Sequence, residues 1–498
     1  MKALFLGAMA VAVISAPLSA QPANKPQVTE ASAPPPGVAF VPHKEAPLWK
    51  VMRHPGDGKG AYATGQYRNL FTELLGVPQE AVKARIDAAW RTYFHGDGQE
   101  QKLYFETGAN ENGTLAYITD WANNDARSEG MSYGMMIAVQ LGHKREFDAL
   151  WNWSKTHMQV TDPDNPSFGY FAWSMGTDGS ARSTGAAPDG EEFFAMALYF
   201  AANRWGNGTG IYDYKAEADR ILTAMRHREV RTGTPPFRIH PGDAPFVPPA
   251  TPWPSINNRA EAARLAALGQ TPPAAQRRNA TLRPQSVGPM MEESHAMIRF
   301  VADVGYPGSD ASYHLPAFYE LWARWGPEAD RAFWAKAADV SRDYFVRVTH
   351  PRTGLAPDHS YFDGTTMPAS TGEPYPFGYD SWRTASNWAV DWSWWGKDRR
   401  QKGLSTAIQT FLNSEGIDRF ADRYTLDGKP LSQRHSPGMV AATAVAGLAG
   451  TPDPLARAFV KELWDTPLPE GEQRYFDGML YLMSMMHLAG EFRAIGPR

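Results

Sequence analysis

Pro188-Asp189-Gly190-Glu191-Glu192-Phe193-Phe194-Ala195-Met196-Ala197-Leu198 reads as the start of a helix that leads into an apolar run. Asp189 fits an N-cap, and Glu192 three residues on fits the partner position of a capping box ahead of an apolar run. The same grammar, apolar residues at three- and four-residue spacing bounded by Gly, Pro, Asn and Asp, recurs along the chain. It predicts helices near 78–94, 129–142, 144–158, 189–205, 213–227, 310–325, 327–347, 379–394, 401–414, 436–450, 453–464 and 477–490. Alternating strand patterns are scarce. A dozen helices joined by short and long loops in turn predict an all-α fold of helical hairpins stacked in a ring as one domain.

Outward from this region, the ends of the chain read differently. Met1-Lys2, an apolar run from Ala3 to Ala16 and Pro17-Leu18-Ser19-Ala20 have the layout of a signal peptide over residues 1–20. The protein is therefore expected to be exported, periplasmic or secreted. Leu18 departs from the small residue usual at that site, which leaves an uncleaved anchor as the alternative. Residues 21–45, rich in Pro, Ala and Gln, read as a disordered tether, and 46–498 as the folded domain. Within it, 232–289 breaks the helical rhythm with four proline pairs or near-pairs. A connection this long is either a cleft wall or lid, with Phe246 and Trp253 as contact residues, or an inert insert.

Composition excludes several classes. A net charge of −4 and no Lys/Arg-dense run argue against nucleic acid as a partner. Zero cysteines leave no disulfides and no thiolate ligands. The 13 histidines include no His-Glu-x-x-His pair, and His157 and His487 read as packed or surface residues. Asp162-Pro163-Asp164-Asn165 lacks the glycine and the bidentate glutamate of a full calcium loop. No metal and no cofactor are expected. The 17 tryptophans are more than core filling needs, and some are expected to line a binding surface.

Three acidic segments open predicted helices: Asp125-Ala-Arg127-Ser-Glu129, Pro188-Asp189-Gly and Tyr379-Asp380-Ser381-Trp382. Acids at helix starts beside aromatic-rich stretches suit glycosidic bond cleavage, in which one carboxylic acid protonates the leaving oxygen and a second carboxylate activates water or attacks the sugar. Each acid also has a plainer reading. Ser128 can cap a helix with Glu129 in its first turn, and Asp189 and Asp380 can be caps themselves. The helix dipole would lower the pKa of Glu129, so a general acid there requires burial or a like charge, for which Asp125 is the nearest source. Gly130-Met-Ser132-Tyr-Gly134 matches a serine-hydrolase elbow, yet the polar residues before it cannot form the buried parallel strand that elbow requires.

The stretch Arg127-Ser-Glu129-Gly-Met-Ser-Tyr133-Gly, with Pro188-Asp189-Gly-Glu-Glu-Phe-Phe, Ser309-Asp310-Ala-Ser-Tyr313, Tyr379-Asp380-Ser-Trp-Arg383 and Arg474-Tyr475-Phe-Asp-Gly, resembles glycoside hydrolase family 8. The likeness covers most of 60–492 and is greatest to the reducing-end xylose-releasing exo-oligoxylanases. It implies an (α/α)6 barrel of six helical hairpins and an inverting, monomeric, metal-independent hydrolase. The expected substrate is a β-1,4-xylo-oligosaccharide or xylan, with no membrane partner once the signal is removed.

By motif position, the resemblance assigns Glu129 as general acid and Asp380 as general base. Asp189 would hold sugar hydroxyls, Tyr313 would hold the attacking water and Trp173 would be a sugar platform. Arg127, Arg383, Tyr133 and His435 would be further substrate-binding residues. His435 matches the histidine that blocks the far side of the cleft in exo-acting members, although its Arg434-His435-Ser436-Pro437 setting departs from their Leu-His-Pro turn. An endo-β-1,4-xylanase, or another endo-glycanase such as an endoglucanase, chitosanase or lichenase, is the alternative. A non-catalytic carbohydrate-binding barrel is the competitor from another class.

Overall fold

The computed structural model describes residues 56–97, 101–247, 284–369, 372–450 and 453–497. The expected signal, the tether and Trp253 lie outside these residues. All twelve expected helices are present. They are α1 (Gln79–His95), α2 (Ser128–Leu141), α3 (Lys144–Trp153), α4 (Pro188–Trp205), α5 (Tyr214–His227), α6 (Pro316–Trp325), α7 (Arg331–Val348), α8 (Arg383–Trp395), α9 (Arg400–Glu415), α10 (Pro437–Val445), α11 (Pro454–Asp465) and α12 (Arg474–Leu488).

The even-numbered helices form an inner ring. Neighbours α2 and α4, α6 and α8, α8 and α10, α10 and α12, and α12 and α2 pack against each other. Phe193 against Phe318, centroids 5.2 Å apart, and the 2.6 Å bond from Tyr319 to Glu192 close the remaining step between α4 and α6. The odd-numbered helices pack outside their partners, which makes the fold an (α/α)6 barrel.

Sequence chemistry sorts the rings. An inner helix has protein on all sides, so α2 is buried from Gly130 to Gln140. An outer helix needs one apolar stripe, and α11 buries Ala456, Phe459, Val460 and Leu463 at helical spacing while its other face meets solvent. Burying a side chain such as Phe459 contributes about 1.5–3 kcal/mol. Asp453, accepting from Ala456 N at 2.8 Å, and Pro454 at the first helical position start that helix.

Connections from an inner to the next outer helix are short: 142–143, 206–213, 326–330, 396–399 and 446–453. Most of those from outer to inner are long, and they gather where the inner helices begin. They carry the short strands that the sequence pattern does not announce: a hairpin of Tyr104–Asn110 with Gly113–Ile118, and two- or three-residue pairs elsewhere. One of these, Arg231–Gly233 with Gln285–Val287, ties together the two flanks of the Pro-rich stretch 232–289. Phe246 donates its amide to the Phe237 carbonyl at 2.7 Å in the same region.

At the other end, the tail after α12 crosses the closing helices. Gln140 of α2 donates to the Arg493 carbonyl and Asn203 of α4 to that of Ile495, both at 2.8 Å, while Phe492 packs on Trp394 of α8. Among the described residues no helix is long and apolar enough to cross a membrane.

Candidate active site

The inner helices bring their first turns together, and the three expected carboxyl groups meet there on one guanidinium. Arg383, in the first turn of α8, donates from Nη1 to Glu129 Oε2 at 2.8 Å, to Asp189 Oδ2 at 3.1 Å and to Tyr133 Oη at 2.5 Å. Its Nη2 lies 3.2 Å from Asp380 Oδ1 and donates to Ser312 Oγ at 3.1 Å. Contacts on adjacent nitrogens of one planar fork keep the nearest Glu129 and Asp380 oxygens within roughly 8 Å of each other. Inverting glycosidases hold their two carboxyl groups about 6.5–9.5 Å apart to admit a water.

The local start of each helix differs from the capping reading. The extended segment Asp125–Arg127 pairs with Ser174–Gly176, so the backbone stays extended through Arg127, which takes the cap position and leaves Ser128 as the first helical residue. Pro188 fixes the start of α4 one residue early, so Ala187 is the cap and Asp189 lies inside the first turn with its carboxylate free to face Arg383. Glu192 completes no box; it is buried and accepts from Tyr319. Asp380 sits in a 3-10 turn, Tyr379–Trp382, that Ser381 closes by bonding with Gly378. Tyr379 holds φ at +43°, a left-handed conformation that costs a bulky residue about 1–3 kcal/mol and here turns the chain so that the next residue meets Arg383.

Electrostatics separates the acids. Burial pushes Glu129 up to about 7 against the pull of Arg383, and the like charges of Asp189 and Asp380 add to the rise. The helix dipole is therefore overridden, and the expected source of like charge is corrected. Asp125 lies 3.2 Å from Arg127 and spends its charge there. Asp189 is raised to about 6, by burial first, Arg383 opposing and Asp380 reinforcing. The Asp380 side chain is 38% exposed, the most open of the three. One carboxyl is thus held protonated near neutrality beside a second that faces solvent, two different environments of the kind acid–base hydrolysis of a glycoside needs.

Tyr475, at the start of α12, donates to Glu129 Oε1 at 2.9 Å. Gly130 makes this possible, because a Cβ there would sit 2.5 Å from the Tyr475 ring. Gly190 likewise lets α4 approach Ser128, whose Oγ would lie 2.5 Å from an added Cβ. Tyr475 was not among the expected site residues. Its motif is quotable from sequence, but 346 residues separate it from Glu129.

The other expected residues fall in layers. Tyr313 is buried, with the Arg383 guanidinium carbon 5.6 Å from its ring centre. Trp173 is partly exposed and has Arg127 5.3 Å from its ring, and Arg127 is itself held by Asp120 and Asp125 at 3.2 Å each. Tyr133 is buried behind Arg383. His435 is set apart from the cluster: its Nδ1 bonds the Phe420 carbonyl at 2.8 Å, its ring meets Phe420 edge-on and Nε2 lies 3.6 Å from Glu462 of α11. Ser132 is buried and its hydroxyl donates to the Glu129 carbonyl at 2.9 Å, a helix contact rather than a nucleophile's. Asp162 and Asn165 cap their own turn at the amides of Asp164 and Ser167. His487 is half-buried, stacks on Phe492 and is driven down to about 3 by desolvation, hence neutral.

An α/α barrel whose inner helices converge a protonated carboxyl and a solvent-facing one on a shared guanidinium has the make-up of a glycoside-cleaving enzyme. Residues 109–248 and 300–490 match the model of glycosyl hydrolases family 8, and the chain belongs to that inverting family. It is 40% identical over 440 residues to the reducing-end xylose-releasing exo-oligoxylanase Rex8A of Paenibacillus barcinonensis, covering 88% of this chain and 98% of the relative. To the exo-oligoxylanase of the same description from Halalkalibacterium halodurans it is 36% identical, over 87% and 96%. A family 8 xylanase of Teredinibacter turnerae, solved as a catalytic mutant with xylohexaose, superposes with a TM-score of 0.76 at 45% identity, covering 88% of this chain and 100% of the other.

Proposed function

We propose that this protein hydrolyses β-1,4-linked xylo-oligosaccharides with inversion, releasing xylose from the reducing end. Glu129 protonates the leaving oxygen, Asp380 takes a proton from the attacking water, and Asp189 holds hydroxyls of the sugar between them. The observation that carries this reading is the single guanidinium of Arg383 joining all three carboxyl groups while burial keeps Glu129 protonated to near neutrality. The substrate and the direction of attack rest on the likeness to the exo-oligoxylanases, which spans nearly their whole length. Tyr313 would help hold the water and Trp173 would offer its open face to a sugar ring, with Arg127 stiffening it from behind. The N-terminal segment would direct export, and the enzyme would act as a monomer.

On the way to the transition state positive charge grows on the sugar ring, and a carboxylate beside it stabilises that charge. The Arg383 cation balances the cluster before substrate binds, so the acids keep their geometry without collapsing together.

A second reading, internal cleavage of xylan, is favoured by two observations: the His435 ring turns toward Phe420 and Glu462, and the likeness at 45% identity is to a xylanase holding xylohexaose. Early products from xylotriose and from long xylan, resolved by length and anomeric configuration, separate the readings. From xylotriose, xylose together with xylobiose whose newly formed reducing end is α, with xylan barely attacked, supports the exo reading. Mixed oligomers from xylan replace it with the endo reading, and an early β configuration at the newly formed reducing end overturns inversion itself.

A further inference from the structure

Behind Asp380 lie two more carboxyl groups that the reaction above does not use, Asp310 and Asp358. Asp310 is 0% exposed. Its Oδ1 accepts the amide of Ser312 at 2.7 Å and so caps the 3-10 turn Ala311–Tyr313, while its Oδ2 has no hydrogen-bond partner. A fully buried carboxylate with one bare oxygen is costly, whereas a neutral carboxylic acid is much less so. Among the described residues the cation that acts on it, Arg383, already commits Nη1 to Glu129, Asp189 and Tyr133, Nη2 to Asp380 and Ser312, and Nε to the Asp380 carbonyl.

The turn that Asp310 caps carries both Ser312, whose hydroxyl accepts from Arg383, and Tyr313, over whose ring the guanidinium lies. Asn387 of α8 reinforces it by donating to the Ser312 carbonyl at 2.7 Å. We propose that Asp310 is a positioning residue for hydrolysis, carrying a proton and fixing, through the turn it caps, Ser312 and Tyr313 against Arg383 on the water side of Asp380. The inference rests on Asp380 being the base.

The groups facing Asp310 agree with a protonated state. Asp380 and Arg383 face it from the start of α8, Asp358 from the loop after α7, Tyr344 from α7, Tyr306 from the preceding loop and Tyr313 from its own turn. Burial lifts Asp310 well above the usual carboxylate range, and Asp380 and Asp358 push in the same direction with Arg383 opposing. Asp358 is itself raised to about 8 by burial and by Asp380.

The test compares Asp310→Asn, Asp310→Ala and Ser312→Ala on xylotriose. Asparagine keeps an acceptor for the Ser312 amide and is neutral at every pH, so kcat should stay within about threefold of wild type from pH 5 to 7. Alanine removes the cap, and kcat should fall by at least about tenfold with KM little changed, as expected for a misplaced catalytic apparatus rather than lost binding. Ser312→Ala should lower kcat in the same sense, and it carries the test with Asp310→Asn if the alanine variant does not fold. Asparagine as damaging as alanine in folded protein, or an alanine or Ser312→Ala variant with wild-type kcat, overturns the proposal. Asp380→Asn run in parallel reads the base assignment separately: full turnover in that variant refutes the base and leaves the Asp310 comparison to be judged on its own.

Discussion

Replacing Glu129 with glutamine should abolish turnover and, at neutral pH, make the protein more stable. Burial raises the native carboxyl to about 7 from an ordinary value of 4.5. Between those values the unfolded chain gives up the proton and the native protein keeps it, so the native state binds more protons and wild-type stability falls as pH rises. Below 4.5 both states are protonated and no penalty exists; above 7 both are ionised and the full penalty stands. Every tenfold difference in proton affinity between the two states corresponds to about 1.4 kcal/mol, which places the plateau on the order of 3 kcal/mol. Glutamine imitates the protonated acid and escapes this penalty. For a domain of this size, unfolding entropy scaled per residue converts the difference to roughly 3 °C in Tm. Melting curves of both proteins from pH 4 to 8 are the assay: the curves should coincide at pH 4 and separate progressively, with the variant higher. A gap that is independent of pH, or a variant less stable at pH 7, would refute the argument that burial dominates Glu129.

The same acid should set the alkaline limb of kcat/KM near 7, because activity requires its protonated form; Tyr475→Phe removes a bond that favours the carboxylate, so that limb should move to higher pH while kcat drops several-fold, and an unmoved or lowered limb in a pH–rate profile counts against it. Arg383→Lys retains the charge but not the fork that reaches three carboxyl groups, and steady-state kinetics should show a loss in kcat of about a hundredfold or more with circular dichroism unchanged. Away from the site, Arg342 is buried and paired with Asp391 at 2.7 Å and Glu320 at 3.0 Å. Arg342→Met strands those acids and should cost about 3–5 kcal/mol in denaturant unfolding, whereas a cost near zero would mean that the acids find other partners.

The twelve helices were legible because their apolar residues recur at three- and four-residue spacing, as in Ala456, Phe459, Val460 and Leu463. The strands were not: Asp125–Arg127 has three residues and a polar composition, and its partner Ser174–Gly176 lies about fifty residues further along the chain. That unseen pairing also moved the start of α2 by one residue, which is why Ser128 reads as a cap and is not one. At the site, Glu129, Asp189 and Asp380 could be named from motif position, and Arg383 was named as a substrate contact. Its part as shared counter-charge follows only from the ring bringing three helices together. The histidine at 435 is present in sequence, yet its orientation depends on Phe420 and Glu462, which no local pattern announces.

The aromatic and amide contacts that seal the tail across α2, α4 and α8 give the barrel a floor. The active-site acids open toward the opposite end, and the two ends answer to different demands. The roof of long connections can be rebuilt, lengthened or trimmed to alter which chain ends fit, while the floor keeps the staves in place. Anchoring the enzyme to a bead or a scaffold through residues following α12 would leave the mouth pointing outward, toward the fibre.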